Sequence, residues 1–135
     1  MERCIFCDIV RGNAAAERIY EDQDILAFLD INPVNPGHAL VIPRDHHETY
    51  LDLPDALLAP LGMALRRVAA AVLRTTGAGG LNLVMNNYRA AGQLVPHVHW
   101  HVVPRHPDDG LRHWPGRPAG ATELSDMAKR IRETL

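Results

Sequence analysis

Residues 97–103 read His-Val-His-Trp-His-Val-Val, and this alternation constrains the fold more than any other segment of the chain. Successive side chains of a β-strand point to opposite faces of a sheet, so residues two apart share a face. The pattern therefore predicts a strand with His97, His99 and His101 in a row and with the intervening apolar residues turned into a core. Imidazoles titrate near neutrality and bury little apolar surface, so three of them on one face indicate a chemical role.

The spacing alone leaves two chemical roles open. Neutral imidazole is the commonest metal ligand in proteins, so the three histidines could together form a catalytic metal centre. Imidazole also acts as a nucleophile and as an acid–base catalyst, which requires no metal. A purely structural role for the three side chains is the alternative to both.

The remaining pattern predicts an α+β fold with an antiparallel sheet. Apolar residues recur at helical spacing from residue 54 to about 76, where Gly77 ends the most regular helix of the chain. Shorter helices are expected at 5–11 and 123–133. Strands are expected at 17–21, 25–29, 38–42, 81–85 and 97–103. Sequential short strands with one long helix favour an antiparallel sheet of about five strands over a doubly wound parallel sheet.

Length and charge exclude several classes of function. The 135 residues fit a single domain, expected to span 1–135. Lys and Arg number 14 against 16 Asp and Glu, so a net charge of −2 gives no basic field for a nucleic acid. We find no N-terminal signal pattern and no run of about 18 apolar residues, so we expect a cytoplasmic protein without a membrane partner. No glycine-rich phosphate loop is present, and no organic cofactor is expected.

The two cysteines, Cys4 and Cys7, lie close together near the start of the chain. In a reducing compartment such a pair more often binds a metal or has a redox role than forms a structural disulfide. A thioredoxin-like pair follows a strand of a βαβ unit, and no strand precedes Cys4. Zinc takes four ligands, so the pair would need two more, for which the eight histidines are candidates.

The chain resembles the histidine triad family. Residues 97–103 match its signature of three histidines alternating with apolar residues, and the collinear segments 4–12, 19–46 and 82–105 extend the likeness over most of the chain. The resemblance implies an α+β fold that forms a homodimer by extending its sheet. It also implies nucleotide-binding proteins that act as hydrolases or transferases at the α-phosphate of nucleotide conjugates, with a purine nucleotide such as AMP as ligand or product.

The same resemblance assigns roles to four histidines. His99 matches the nucleophile, whose neutral ring nitrogen forms a covalent nucleotidyl-histidine intermediate that water then hydrolyses. A backbone carbonyl near His97 is implied as the acceptor that keeps the other ring nitrogen of His99 protonated. His101 matches the histidine that contacts the phosphate and helps the leaving group depart. His38 matches a further histidine packed beside the triad.

Nucleotide contacts are also implied by position. Asn86 and Gln93 carry amide donors suited to phosphoryl oxygens, whose charge must be stabilised when phosphorus is attacked. Asp30 matches a carboxylate that accepts hydrogen bonds from both ribose hydroxyls. Apolar residues that could form the base pocket, or equally the core, are Phe6, Ile9, Ile19, Phe28 and Ile31.

The family resemblance completes the set of ligands for the cysteine pair. Bacterial members with this Cys-x-x-Cys start carry a structural zinc, which implies Cys4, Cys7, His46 and His97 as ligands here. His47 is adjacent to His46 and is the alternative fourth ligand, although position favours His46. Such a closed set of two thiolates and two imidazoles leaves no open coordination site, so this zinc is expected to be structural rather than catalytic.

One position departs from the family pattern. Leu94 stands where many relatives have a serine or threonine that offers a hydroxyl to the phosphate or leaving group. This departure disfavours efficient phosphoramidase activity, and the segment 106–110 favours dinucleoside polyphosphates as substrates. Purine nucleoside phosphoramidates are the alternative substrate. Two other classes are kept: a metallohydrolase using His97, His99 and His101 as metal ligands, and a nucleotide-binding protein with little catalysis.

Overall fold

The structure, a computed structural model, describes residues 3–135. Its helices and strands follow the predicted order, with boundaries shifted by one or two residues at most positions. In chain order they are α1 Ile5–Arg11, β1 Arg18–Glu21, β2 Ile25–Leu29, β3 Ala39–Pro43, α2 Asp55–Thr76, β4 Gly80–Val84, β5 Trp100–Arg105 and α3 Ala121–Arg132.

The five strands form one antiparallel sheet in the order β1-β2-β3-β5-β4, which confirms the predicted α+β class. The central strand β3 is buried along its whole length. His101 of β5 lies opposite Leu40 of β3 on one side and Val84 of β4 on the other. Directly opposed residues share a face of the sheet, so these three side chains point to the same side.

The long helix α2 covers the opposite face of the sheet. Its buried stripe, which includes Leu61, Leu65 and Val68, packs in one core with Val98 and Val102. By length and composition alone α2 could cross a membrane, since its most apolar window has a mean hydropathy of 1.6. The expectation that the sequence contains no apolar run of membrane-spanning length was therefore wrong. The packing of this stripe on the sheet identifies α2 as the core helix of the fold.

The short helix α1 packs on the face that carries His101. Phe6 and Ile9 of α1 form a second core with Phe28, Leu40 and Ile42. The helix ends at Gly12, which has a φ of 81° and donates its N–H to the carbonyls of the last turn. This left-handed conformation suits glycine and returns the chain toward β1.

The predicted row of three histidines on one strand is only partly correct. β5 begins at Trp100, so His97 and His99 lie just before it. The N–H of His97 donates to the carbonyl of Val95 at 2.8 Å, and the N–H of Val98 donates to the carbonyl of His47 at 2.8 Å. The side chains nevertheless keep the predicted alternation, because Val98 and Val102 lie in the core under α2 whereas Phe6 of α1 contacts the rings of both His97 and His99.

Candidate functional site

A cavity of about 600 Å³ opens on the α1 face of the sheet. Its wall is largely apolar, and its polar groups are contributed by the end of β2, the start of β3, β5 and the loop before β5. The polar lining residues are Asp30, Asn32, His38, Asn86, His99 and His101, and the apolar ones include Ile5, Phe6, Ile9, Phe28, Leu40, Leu94 and Val95. An apolar cavity with a few converging polar groups is the usual form of a small-molecule site.

His99 is held in one tautomer by the main chain. Its Nδ1 lies 2.8 Å from the carbonyl oxygen of His97, and a carbonyl only accepts, so Nδ1 carries the hydrogen. The other nitrogen, Nε2, is thereby left with its lone pair. Burial lowers the pKa of His99, outweighing the opposing effect of the carbonyl bond. A neutral imidazole with an oriented lone pair is suited to act as a nucleophile or a base.

A second main-chain group sets the protonation of His38 and His101. The N–H of Val34 donates to Nδ1 of His38 at 3.0 Å, so the hydrogen of neutral His38 is on Nε2. That nitrogen lies 2.9 Å from Nδ1 of His101 and donates to it. His101 therefore carries its own hydrogen on Nε2. Burial lowers the pKa of His101 to about 4, helped by the neighbouring His99 and His38. His101 can thus offer a hydrogen-bond donor from a neutral ring.

Asp30 follows β2 and lies beside the hydrogen-bonded pair of His38 and His101. Its Oδ1 accepts the N–H of Asn32 at 2.8 Å, and its Oδ2 lies 3.5 Å from Nε2 of His38. The ligand atoms of Asp30, His38 and His101 lie within 4.8 Å of one another, close enough for a metal. Val34 nevertheless places a hydrogen on Nε2 of His38, the nitrogen that faces the other two residues. We therefore interpret the group as a hydrogen-bonded relay and not as a metal site.

A separate group of candidate metal ligands lies near His99. Sγ of Cys4 is 3.4 Å from Nδ1 of His97, and Sγ of Cys7 is 3.6 Å from the same atom and 3.3 Å from Nδ1 of His46. All four ligand atoms lie within 4.8 Å of one another. The predicted choice of His46 over His47 agrees with this arrangement, since His47 is not in the group. Two thiols and two imidazoles are the donor set of a four-coordinate zinc site.

Protonation and spacing both fit a tetrahedral ion at these four residues. Nε2 of His97 donates to the carbonyl of Pro43 at 2.9 Å, which leaves the lone pair of Nδ1 facing the two thiols. Burial lowers the pKa of His97 to about 4, so its ring is neutral and able to ligate. Tetrahedral sulfur and nitrogen ligands of zinc are separated by about 3.5 Å, close to the distances found here. The two cysteines are not joined by a disulfide bond.

The environment of Cys7 disfavours a reactive thiolate. Its pKa is raised to about 11 by burial first, and then by the hydrogen bond and charge of Cys4. A thiol in this environment remains protonated at neutral pH unless a positive ion compensates the thiolate. The residues present therefore fit a metal ion better than a reactive thiol pair.

The alternative of a three-histidine catalytic metal centre is not favoured. Within the described residues 3–135, His97 belongs to the cysteine group, His101 belongs to the group with Asp30, and His99 belongs to neither. Nδ1 of His97 faces the two cysteine sulfurs, whereas the rings of His99 and His101 face each other with centroids 5.0 Å apart.

Most of the other predicted nucleotide contacts line the cavity, whereas Ile19 and Gln93 do not. Phe6, Ile9, Phe28, Ile31 and Asn86 line the cavity as predicted. Ile19 lies on edge strand β1, is 45% exposed and is not among the lining residues.

Gln93 is buried, and its amide bonds to the main chain of two loops. Its Nε2 donates to the carbonyl of Glu48 at 2.6 Å, and its Oε1 accepts the N–H of Tyr88 at 2.8 Å. Tyr88 has a φ of 69°, which is rare outside glycine. In this structure the Gln93 amide therefore fixes the loop that carries Asn86 and Leu94, because both of its polar ends bond to main-chain atoms.

Two features of the site have no signal in the sequence. One is the N–H of Val34, which determines the tautomers of His38 and His101, because a backbone group has no residue type to recognise. The other is the position of Phe6, whose ring meets the edges of His97 and His99 with centroids 5.8 and 5.1 Å apart. Phe6 was predicted only as an apolar lining residue.

Comparisons with known proteins agree with this geometry. A family model described as HIT domain matches residues 11–108. An adenylylsulfatase, HINT3 of Arabidopsis thaliana, is 38% identical over 80% of this chain, which spans 55% of that relative. An adenosine 5′-monophosphoramidase, hnt1 of Schizosaccharomyces pombe, is 37% identical over 95% of each chain.

Solved structures extend the similarity to nearly the whole chain. SMU.412c from Streptococcus mutans superposes with a TM-score of 0.93 and 38% identity, covering 99% of this chain and 86% of its own. A zinc-bound histidine triad family protein from Mycobacterium smegmatis superposes with a TM-score of 0.75 and 38% identity, covering 98% of this chain and 97% of its own. Both superpositions include the N-terminal segment with Cys4 and Cys7, which precedes the residues matched by the family model.

Proposed function

Since this chain belongs to the HIT domain family, we propose that it is a nucleotide hydrolase or nucleotidyl transferase that uses His99 as a covalent nucleophile. The observation that carries the proposal is the hydrogen bond from Nδ1 of His99 to the carbonyl of His97 at 2.8 Å. It leaves the Nε2 lone pair as the reactive group in a cavity large enough for a nucleotide.

The reaction has two displacements at the same phosphorus. Nε2 of His99 attacks the α-phosphorus of an adenylylated compound, the bond from phosphorus to the leaving group breaks, and a nucleotidyl-His99 forms. Water then attacks that phosphorus, which releases AMP and restores the free imidazole. The hydrogen on Nε2 of His101 stabilises charge on the phosphoryl oxygens or on the departing atom. Asn86 is a second donor at the cavity wall.

Trapping the intermediate tests this proposal. The protein is mixed with adenylyl sulfate or a dinucleoside tetraphosphate, quenched within milliseconds and digested for mass spectrometry. We expect an AMP adduct on the peptide that contains His99, with the acid lability of a phosphorus–nitrogen bond. Turnover with no adduct at any quench time would contradict the covalent route and favour direct attack by water.

Asp30 is proposed to bind the ribose. An Asp30→Asn variant keeps the shape of the side chain but loses the charge, and we expect AMP to bind about tenfold more weakly, as for a lost charged hydrogen bond. Binding of 2′,3′-dideoxy-AMP should change little, because that ligand lacks both hydroxyls. Calorimetric titration of both ligands measures the difference, with the exposed Asp126→Asn as a matched control. Equal losses for the two ligands would contradict the assignment.

Leu94 is proposed to select the leaving group. It lies at the cavity wall with 80% of its surface exposed and offers no hydroxyl. Sulfate and phosphate depart without a proton, whereas ammonia needs one. We therefore expect kcat/KM for adenylyl sulfate or dinucleoside polyphosphates to exceed that for adenosine phosphoramidate by at least about tenfold, as expected when acid catalysis is weak.

A Leu94→Ser variant tests this selectivity, with Leu94→Ala as the matched control that shortens the side chain without adding a hydroxyl. We expect Leu94→Ser, and not Leu94→Ala, to lower the ratio of kcat/KM for adenylyl sulfate to kcat/KM for adenosine phosphoramidate. A wild type that cleaves both substrates equally well would contradict the role of Leu94. AMP binding without turnover of any substrate would instead favour the nucleotide-binding protein with little catalysis.

Zinc is the proposed occupant of the site formed by Cys4, Cys7, His46 and His97. The donor set and the zinc-bound relative support this choice. When bound, the ion supplies a cross-link between the N-terminal segment and the turn before β5. It has four protein ligands and no open position, so no step of the reaction is assigned to it.

We also propose that two copies associate along β4. Among the described residues β4 pairs only with β5, so its outer edge is free to pair with another strand. Leu83 on this strand is 44% exposed, and a hollow of about 470 Å³ beside it includes Trp100 and Trp114. An apolar strand edge of this kind suits a symmetric dimer that extends the sheet.

A further inference from the structure

His97 belongs to two sites at once. Its Nδ1 faces the two thiols of the metal-ligand group, and its main-chain carbonyl accepts the hydrogen bond that orients His99. Its Nε2 is anchored on the carbonyl of Pro43, and the residue is completely buried. A displacement of the His97 backbone therefore moves the carbonyl that orients His99, and a displacement of the His97 ring acts through the same residue.

The N-terminal segment makes a second connection between the same two sites. Cys4 is the N-cap of α1, and its Sγ accepts the N–H of Cys7 at 3.4 Å. Phe6, between the two cysteines, packs edge-on against the rings of His97 and His99 and also forms part of the cavity wall. The two cysteines thus hold the turn of helix that supports one side of the nucleophile and one wall of the pocket.

From these contacts we propose that metal occupancy and nucleotide binding are coupled, with His97 as the positioning residue that links them. An ion joined to Cys4, Cys7 and His46 would fix the side chain of His97 and the start of α1 before a nucleotide arrives. Fewer residues of the site then lose conformational freedom when the nucleotide binds. The inference rests on the proposed nucleotide site, and it adds that the metal centre controls how tightly that site binds and how well His99 is aligned.

Coupling between two binding equilibria is reciprocal, which gives a direct test. The affinity for Zn²⁺ is measured by competition with a chromophoric chelator, with and without saturating AMP. We expect AMP to tighten Zn²⁺ binding at least about fivefold, the lower end of typical coupling between sites. The affinity for AMP should rise by the same factor when metal-free protein is loaded with Zn²⁺. Changes below twofold in both directions would overturn the proposal.

A second measurement avoids the case in which metal-free protein does not fold. Protein loaded with Co²⁺ remains in its metal-bound state, and the visible absorption of the ion reports the geometry of its ligands. We expect AMP to change this spectrum in the wild type, because the nucleotide contacts the residues that His97 and Phe6 support. A spectrum that is unchanged at saturating AMP would overturn the coupling.

Variants at two adjacent histidines provide the matched control. His46 is an exposed member of the metal-ligand group, whereas the side chain of His47 is outside it. We expect His46→Ala to weaken AMP binding and to alter the ¹⁵N signals of the His99 ring, while His47→Ala changes neither. Identical behaviour of the two variants would overturn the link.

The outcomes separate this inference from the proposed function. Calorimetric titration of AMP into the zinc-loaded wild type is done first. No binding of AMP would overturn both proposals. Binding of AMP together with an unaffected metal centre would overturn only the coupling and leave the nucleotide site in place.

Discussion

The His99→Ala variant is expected to lose turnover by about 10⁴-fold or more, because no other group can replace a covalent nucleophile. Binding of AMP should be kept within about tenfold, since the apolar wall and Asp30 remain. The measurement is single-turnover hydrolysis of adenylyl sulfate together with AMP titration of the same sample. No nucleotidyl adduct should form on the variant at any quench time.

His113→Ala serves as the control for this result. His113 lies in the exposed segment between β5 and α3, outside the cavity, and its loss should leave both turnover and binding unchanged. Activity of the His99→Ala variant near the wild-type rate would exclude His99 as the nucleophile. The reaction would then have to proceed by attack of water on the bound substrate.

Replacement of Cys4 by serine is expected to have the largest effect on stability. Serine is a favourable N-cap residue, so the variant keeps the start of α1 while it removes one metal ligand. The purified wild type should contain about one zinc ion per chain, and the variant should contain far less. The free energy of unfolding should fall by about 4 kcal/mol or more, the scale on which a lost metal site acts.

Metal analysis and urea unfolding with and without a chelator measure this effect. The chelator should destabilise the wild type and have little further effect on the Cys4→Ser variant. His47→Ala is the control that keeps all four ligands, and it should retain both zinc and stability. A wild type that is purified without metal and is insensitive to chelator would contradict a structural zinc ion.

The order of the helices and strands could be predicted because each carries a local signal. The apolar spacing of α2 and the alternation around β5 each identify one type of structure without any knowledge of the others. The order of short strands around one long helix predicted an α+β fold, the family resemblance implied the same fold, and the antiparallel sheet of five strands confirms it. Of the four candidate metal ligands, Cys4 and Cys7 form a local pair, whereas His46 and His97 are distant in sequence, so only the resemblance could join them to that pair.

The residue at which β5 begins could not be predicted from alternation. The side chains follow the predicted period of two, but at His97 the backbone bonds to Val95 and His47 instead of to a neighbouring strand, so β5 begins only at Trp100. These bonds join main-chain atoms, and main-chain atoms are common to all sequences. The internal role of the Gln93 amide was missed for a related reason, since its partners are backbone groups of Glu48 and Tyr88.

Main-chain groups at Val34, Pro43 and His97 determine which nitrogen of His38, His97, His99 and His101 carries a hydrogen. The proton arrangement of these histidines is therefore set by the backbone path and not by the apolar residues of the cavity wall. During evolution, Leu94, Ile31 and their neighbours can be replaced without disturbing it. Such a scaffold can change its ligand preference by replacing wall residues one at a time while the protonation of its histidines is inherited intact.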